Sequence, residues 1–322
     1  SPQDYFSADI FTGNGTNQDI DIGFVPNLVW TKQRTDDSGG LWMDSVRGDD
    51  AYFQTPNGNA EGNFGNITFT STGYNVNGNS NVDNENAHNY AGWAWKAETA
   101  FSNDASSTSV GSLDSSGTVN TDVGFSIIKW TVIPKMIIMK NRERAVDWAV
   151  YHEGLGNTHG MSLNTNAASS DDSGWWNDTT PTSTVFTTGN GNGYRTGGVA
   201  EDYIAYCFAE VDGYSKFALY TGNGDADGTF VYTGFRPSFV IYVKTAGENW
   251  HMKDTKTAPF NVMRQVNDPN RVGAEVADAN TDLDFLSNGF KMRANHATQN
   301  EAGSTYIYIA FAEQPFKYAN GR

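Results

Sequence analysis

The chain has 322 residues, 37 acidic against 21 basic side chains, and a formal net charge of −16. Such a surface repels phosphate, which excludes nucleic acid as a natural partner and leaves cations or basic groups as the charges it would attract. Aromatics make up 13% of the residues, there are 34 glycines, leucine is scarce, and no long run keeps a helical period. This is the profile of many short strands joined by glycine-rich turns. The one cysteine, Cys207, cannot form an internal disulfide and is expected as a small buried hydrophobe. No apolar run reaches membrane-spanning length and no signal peptide is visible, so no membrane insertion is expected. The abrupt start at Ser1-Pro2-Gln3-Asp4 predicts an upstream part.

The first unit is placed at residues 1–99. Thr12-Gly13-Asn14-Gly15 is a turn, Pro26 leads into a strand at Leu28-Val29-Trp30 that ends at Lys32, and Leu41-Trp42-Met43 opens another. Phe69 to Tyr74 has the pattern strand, turn, strand, and Tyr90 to Ala97 (YAGWAWKA) has that of a core strand. Residues 100–122 are rich in Ser, Thr and Gly, and predict a linker or an extended surface crossing. A second unit, 123–211, has a strand from Phe125 to Trp130, Pro134 before Met136 to Lys140, a strand from Trp148 to Tyr151, a strand-turn element at Phe186 to Gly189, and a core strand from Tyr203 to Glu210 (YIAYCFAE). The third, 212–322, repeats the opening turn at Thr221-Gly222-Asn223-Gly224 and the proline at Pro237 before Phe239 to Lys244. It matches Phe69 to Tyr74 with Asp284 to Phe290, closes with Tyr306 to Glu313 (YIYIAFAE), and ends in a tail, Gln314 to Tyr318.

One strand written three times, about a hundred residues apart, implies three copies of one small β domain. The proline-to-lysine spacing is six residues for Pro26–Lys32, six for Pro134–Lys140 and seven for Pro237–Lys244, so the third copy is expected to hold a β-bulge. The second unit keeps only two residues between Thr131 and Pro134, where the others keep more than a dozen after the Thr-Gly turn. A connection is therefore missing near 131–133. A skipped disordered segment is favoured over a lost loop, because losing that connection should cost the sheet.

Taken together, Thr-Gly-Asn-Gly, Gly-Phe-x-Pro-x-Phe-Val, the Trp and Asp that follow, Asp284 to Lys291 (DFLSNGFK), and the close from Tyr306 to Tyr318 resemble a repeated β-domain family of virion structural proteins in tailed bacteriophages, common in marine phages. Asp4-Tyr5-Phe6 and the stretch from Tyr203 to Phe217 fit the same pattern, so the resemblance covers nearly the whole chain. Such proteins are tail-fibre-like, often with lectin-like annotations. The resemblance implies a virion location and carries no catalytic residues over.

Candidate chemistry is thin. Glu210 and Glu313 close two core strands, and paired carboxylates are what a glycosidase uses, but they are repeat positions, and a structural pairing with Lys140 and Lys244 is the favoured reading. Asn223, Asp225 and Asp227 before Gly228 have the spacing that opens a calcium loop, yet the twelfth position is Gly234, and an Asx-type turn is favoured. The histidines, among them His152 and His159, form no metal pair and are expected at the surface. Trp175 and Trp176 beside Asn177 are candidates for a sugar platform, since adjacent strand residues face opposite ways and at least one ring is then exposed; a core Trp next to a rim Trp is the favoured reading.

The expected fold is all-β: three tandem, related, antiparallel sandwich-like units of jelly-roll or lectin-like kind. The expected function is a non-enzymatic virion protein, foremost a tail fibre or tail-associated module whose loops contact a host glycan or protein receptor. A capsid-decorating or head-fibre protein and a carbohydrate-binding module of a secreted protein are the alternatives. Other virion proteins are expected partners, and a homotrimer is expected by analogy with fibres.

Overall fold

The computed structural model describes residues 4–312, apart from residues 50, 64–66, 79, 109–114, 121–124, 128–132, 183–184, 190–192, 194 and 199–200. In chain order the strands are β1 (Phe6–Thr12), β2 (Gln18–Asp21), β3 (Leu28–Gln33), β4 (Gly40–Asp44), β5 (Ala51–Thr55), β6 (Gly62–Asn63), β7 (Ile67–Phe69), β8 (Gly73–Val76) and β9 (Asn89–Trp95). There follow β10 (Thr99–Asn103), β11 (Ser115–Asn120), β12 (Phe125–Ile127), β13 (Met136–Asn141), β14 (Ala149–His152), β15 (His159–Ser162), β16 (Ser170–Asp171) and β17 (Tyr203–Phe208). The last are β18 (Ser215–Thr221), β19 (Phe230–Tyr232), β20 (Pro237–Lys244), β21 (His251–Asp254), β22 (Gln265–Val266), β23 (Val276–Ala277), β24 (Leu283–Leu286), β25 (Gly289–Met292) and β26 (Thr305–Ala312). The protein is all-β, and its strand pairs are antiparallel.

The three copies of the core strand hold the same place in three sheets. The orders are β1-β9-β3-β4-β5-β6 in the first, β10-β11-β12-β17-β13-β14-β15-β16 in the second, and β18-β26-β20-β21 in the third. Register repeats as well: Trp30 faces Trp93, Ile138 faces Tyr206, and Ile241 faces Ile309. Each central strand is buried on both faces, which is why its sequence is a continuous apolar run rather than an alternation with polar residues.

Alternation along these strands separates two cores. Trp93 and Trp95, Tyr206 and Phe208, and Ile307, Ile309 and Phe311 all point into one shared cluster. Trp95 is its hub. Its ring lies 5.2 Å from Phe6 in its own sheet, 6.3 Å from Phe208 in the second, and 6.4 and 6.1 Å from Phe239 and Phe311 in the third. A space of about 20 Å³ is left among Trp95, Phe208, Phe239 and Phe311, so the interior is nearly filled.

The opposite faces are closed separately. In the first sheet, Val29, Leu41 and Ala94 are covered by Ile20, Tyr74 and Val76 of the three-stranded sheet β2-β8-β7. In the third, Val240, Tyr242 and Tyr308 are covered by Val231, Phe285 and Phe290 of β19-β25-β24. In the second, Ile137, Tyr151 and Cys207 pack against Trp175 and Trp176. Cys207 is 1% exposed, the small core residue its sequence context predicts.

Loops pass contacts around the three sheets in a ring. From the first sheet, Glu61 forms an ion pair with Arg142 of the second at 2.9 Å, and the Trp148 indole donates to the Asn57 carbonyl at 3.3 Å. From the second, the Ser162 carbonyl accepts from the Trp250 indole of the third at 3.1 Å. From the third, the loop between β22 and β23 returns to the first, where Arg34 grips Glu275 through two bonds of 2.9 and 3.0 Å.

The ladder between β20 and β26 shifts register between Pro237 and Phe239, where the seven-residue spacing predicts a bulge. The bulge corrects the lysine match. Lys244 pairs with Tyr306 as Gln33 pairs with Tyr90 and Asn141 with Tyr203, so it is not the counterpart of Lys32 and Lys140. Within the stretch read as a linker or surface crossing, β10 and β11 form a hairpin that extends the second sheet through β12. Residues 131 and 132 at the expected gap, Glu313 and the tail from Gln314 to Tyr318 lie outside the described residues.

Candidate functional site

The proposed sugar platform is not on the surface. Trp175 and Trp176 are 3% and 1% exposed, and only Asn177 of the three is exposed. The expectation of an exposed ring assumed a strand, whereas these residues sit in a run of turns in which Asn177 and Asp178 take φ of 51° and 47°. Asn and Asp tolerate that left-handed region, so the chain can fold both rings inward. Trp175 lies over Gly160, where an added Cβ would stand 2.3 Å from the ring, and its indole donates to Ser170 Oγ at 2.8 Å. Trp176 meets Tyr151 edge-on at 5.7 Å. Two adjacent tryptophans thus plug the second outer core.

The calcium-like spacing is a chain of Asx turns. The Asn223 Oδ1 accepts from the Asp225 amide and the Asp225 Oδ1 from the Asp227 amide, both at 2.9 Å. Asn300, fully buried, clasps the turn: its side-chain amide donates to Asn223 Oδ1 at 2.8 Å, and its Oδ1 accepts from the Asn223 amide at 3.0 Å. Asp227 is held by Lys291 at 2.8 Å and Arg293 at 3.2 Å, so its charge is already matched by cations and does not suit a second metal-like partner. Among the described residues no group of three His, Cys, Asp or Glu side chains could hold a metal ion.

The first sheet repeats this clasp with Asn14 and Asn84, at 3.1 Å in each direction. Beside it, the Tyr90 hydroxyl accepts from the Glu85 amide, and the Tyr306 hydroxyl accepts from the Glu301 amide, both at 2.9 Å. In the first and third sheets the Thr-Gly-Asn turn and the tyrosine that opens the core strand are therefore two ends of one brace. The asparagine partners lie 70 and 77 positions from the asparagines they hold, and no short-range signal marks them.

Glu210 pairs with Lys216 at 2.6 Å, not with Lys140. Lys140 and Lys32 are fully buried, and their ammonium groups are held by backbone carbonyls: Asn141 and Arg144 for Lys140, Ser38, Arg271 and Gly273 for Lys32. Burial pulls the pKa of each down to about 8. Lys253, bonded to the Met263 and Arg264 carbonyls and to Thr281, is pulled to about 7 by the same cause. These lysines staple loops; each is enclosed rather than facing a cleft.

His152 is likewise buried, not at the surface. Its Nε2 is 3.2 Å from the Tyr308 carbonyl across the seam between the second and third sheets, its Nδ1 accepts from the Gly154 amide, and burial lowers its pKa to about 4. His251 is 4% exposed and contacts Asp268 at 2.7 Å. His159 is half-buried next to Thr158.

What the structure does expose is an aromatic pair that the sequence reading passed over. Phe230 is 43% and Tyr232 64% exposed, while Val231 between them is buried. The signal was present: once Phe290 and Val231 are assigned to the core, alternation puts Phe230 and Tyr232 outside. Comparison with curated proteins and with solved structures finds no match. A family model matches residues 1–315, and on that extent the chain belongs to the family described as domain of unknown function DUF7483.

Proposed function

We propose that this chain is a non-enzymatic structural and adhesive module of a tailed-phage particle, built from three related sandwich-like units, most simply a part of the tail or its fibres that contacts the host surface. The observation that carries the reading is that the repeated residues serve architecture. Tyr90 and Tyr306, the Asn14–Asn84 and Asn223–Asn300 clasps, and the buried lysines all brace loops on a common rigid body. Three copies of one ladder closed around one core give stiffness and leave the loops at the rim free to vary, which suits recognition. The support for a virion location is the motif resemblance to virion β domains. One chain already closes a core of three sheets, so trimerisation is not needed to complete it.

The test is to raise an antibody to the chain and image labelled particles. Label on the tail or its fibres is the expected result. Label spread over the head would replace the adhesive role with a decorating one. No label on any particle would remove the virion reading.

A further inference from the structure

The outer face of the third sheet's cover differs from the rest of the molecule. On β19, β25 and β24 the cross-strand rows are Phe230–Lys291–Asp284 and Tyr232–Gly289–Leu286. Val231, Phe290 and Phe285 point the other way, into the core. The Phe230 ring leans from its own row over Gly289, the cross-strand partner of Tyr232, where an added Cβ would come within 3.1 Å of it. Alongside runs a fixed polar strip: Asp227 is bound by Lys291 and Arg293, and Arg293 reaches Asp284 at 3.4 Å. Two cations and two carboxylates make the strip neutral in a chain of net charge −16. At the matching positions of the first sheet's cover, β2 carries Asp19 and Asp21 around the buried Ile20. The aromatic pair is thus a property of the third sheet, not of the repeated architecture.

We propose that this face binds a neutral glycan, an inference that rests on the adhesive reading above. Aromatic rings two residues apart on one strand face present apolar surface to the C–H side of a sugar ring, and the strip offers carboxylate acceptors and cationic donors to its hydroxyls. Each cation of the strip already holds a carboxylate, which disfavours a phosphate or polyanionic glycan. A whole aromatic side chain buries roughly 150–250 Å² and these two are only partly exposed, so the pair supplies well below the roughly 800 Å² per partner that a standard protein interface needs. A small uncharged polyol fits that size and charge balance better than a protein.

The test uses the whole chain, a panel of neutral oligosaccharides, a parallel panel of acidic ones, and intact bacteria, with the double variant Phe230→Ala/Tyr232→Ala beside the parent. Both side chains are exposed, so the variant should keep its melting temperature and far-ultraviolet spectrum. The expected result is binding to at least one neutral glycan, weakened about tenfold or more in the variant, which corresponds to about 1.4 kcal/mol. Equal binding by parent and variant, or binding confined to acidic glycans, would overturn the site. Adhesion of the parent to bacteria with no neutral glycan bound would overturn the site and leave the adhesive reading standing. Adhesion to neither would sink both.

Discussion

The two faces of each sheet are solved differently. Inner faces are pooled: Trp95, Phe208 and Phe311 come from three sheets and meet in one cluster, so each residue's shape is fitted to two other sheets. Outer faces are private. Two are closed by a three-stranded sheet, and the third by a pair of tryptophans from a turn. A shared face constrains all three copies at once, whereas a private face needs only some apolar cover of the right volume. That difference explains how one ladder can be repeated three times while its covers diverge, and how exposed Phe230 and Tyr232 can occupy sites held by aspartates elsewhere.

Substitutions should separate the two kinds of face. Trp95→Ala removes the hub of the pooled core and is expected to cost about 4 kcal/mol, read as a lower denaturant midpoint, with amide protection reduced in all three sheets together. Loss of protection in the first sheet alone would break the comparison. Trp176→Ala opens a private core and should cost about 3 kcal/mol, with protection lost first in β14 and β15 and little change in β3 or β20. Uniform loss there would mean that the second outer core is no more private than the inner one.

A smaller effect reports on the seam. Burial holds the His152 pKa at about 4, against 6.5 for the free side chain. The unfolded chain takes up the proton first, so this contribution is full above pH 6.5 and is lost as pH falls toward 4. At pH 5.5 the loss is about 1.4 kcal/mol. Denaturant midpoints measured from pH 7 to 4 should fall more steeply for the parent than for His152→Gln; parallel slopes would show that the imidazole can be protonated without disturbing its contact to the Tyr308 carbonyl.

The strands were legible because β-branched and aromatic runs between glycine-rich turns have few other solutions, and the bulge at Pro237 could be counted directly from the spacing. The candidate sites were less legible. Trp175 and Trp176 were misplaced because alternation was applied to a turn. The lysine match failed because the bulge that spacing revealed also shifts everything after it. The Asn84 and Asn300 clasps depend on partners far along the chain. The pooled core was hidden for another reason. A repeat gives the number of copies, but strands buried on both faces carry no mark of which face meets a neighbouring copy.

Scanning calorimetry of the intact chain tests the pooled core most directly. Three sheets sharing one cluster should unfold in a single transition whose calorimetric and van't Hoff enthalpies agree, and Trp95→Ala should move that transition as a whole. Two or three separable transitions, only one of them shifted by Trp95→Ala, would contradict the account and describe sheets that fold independently.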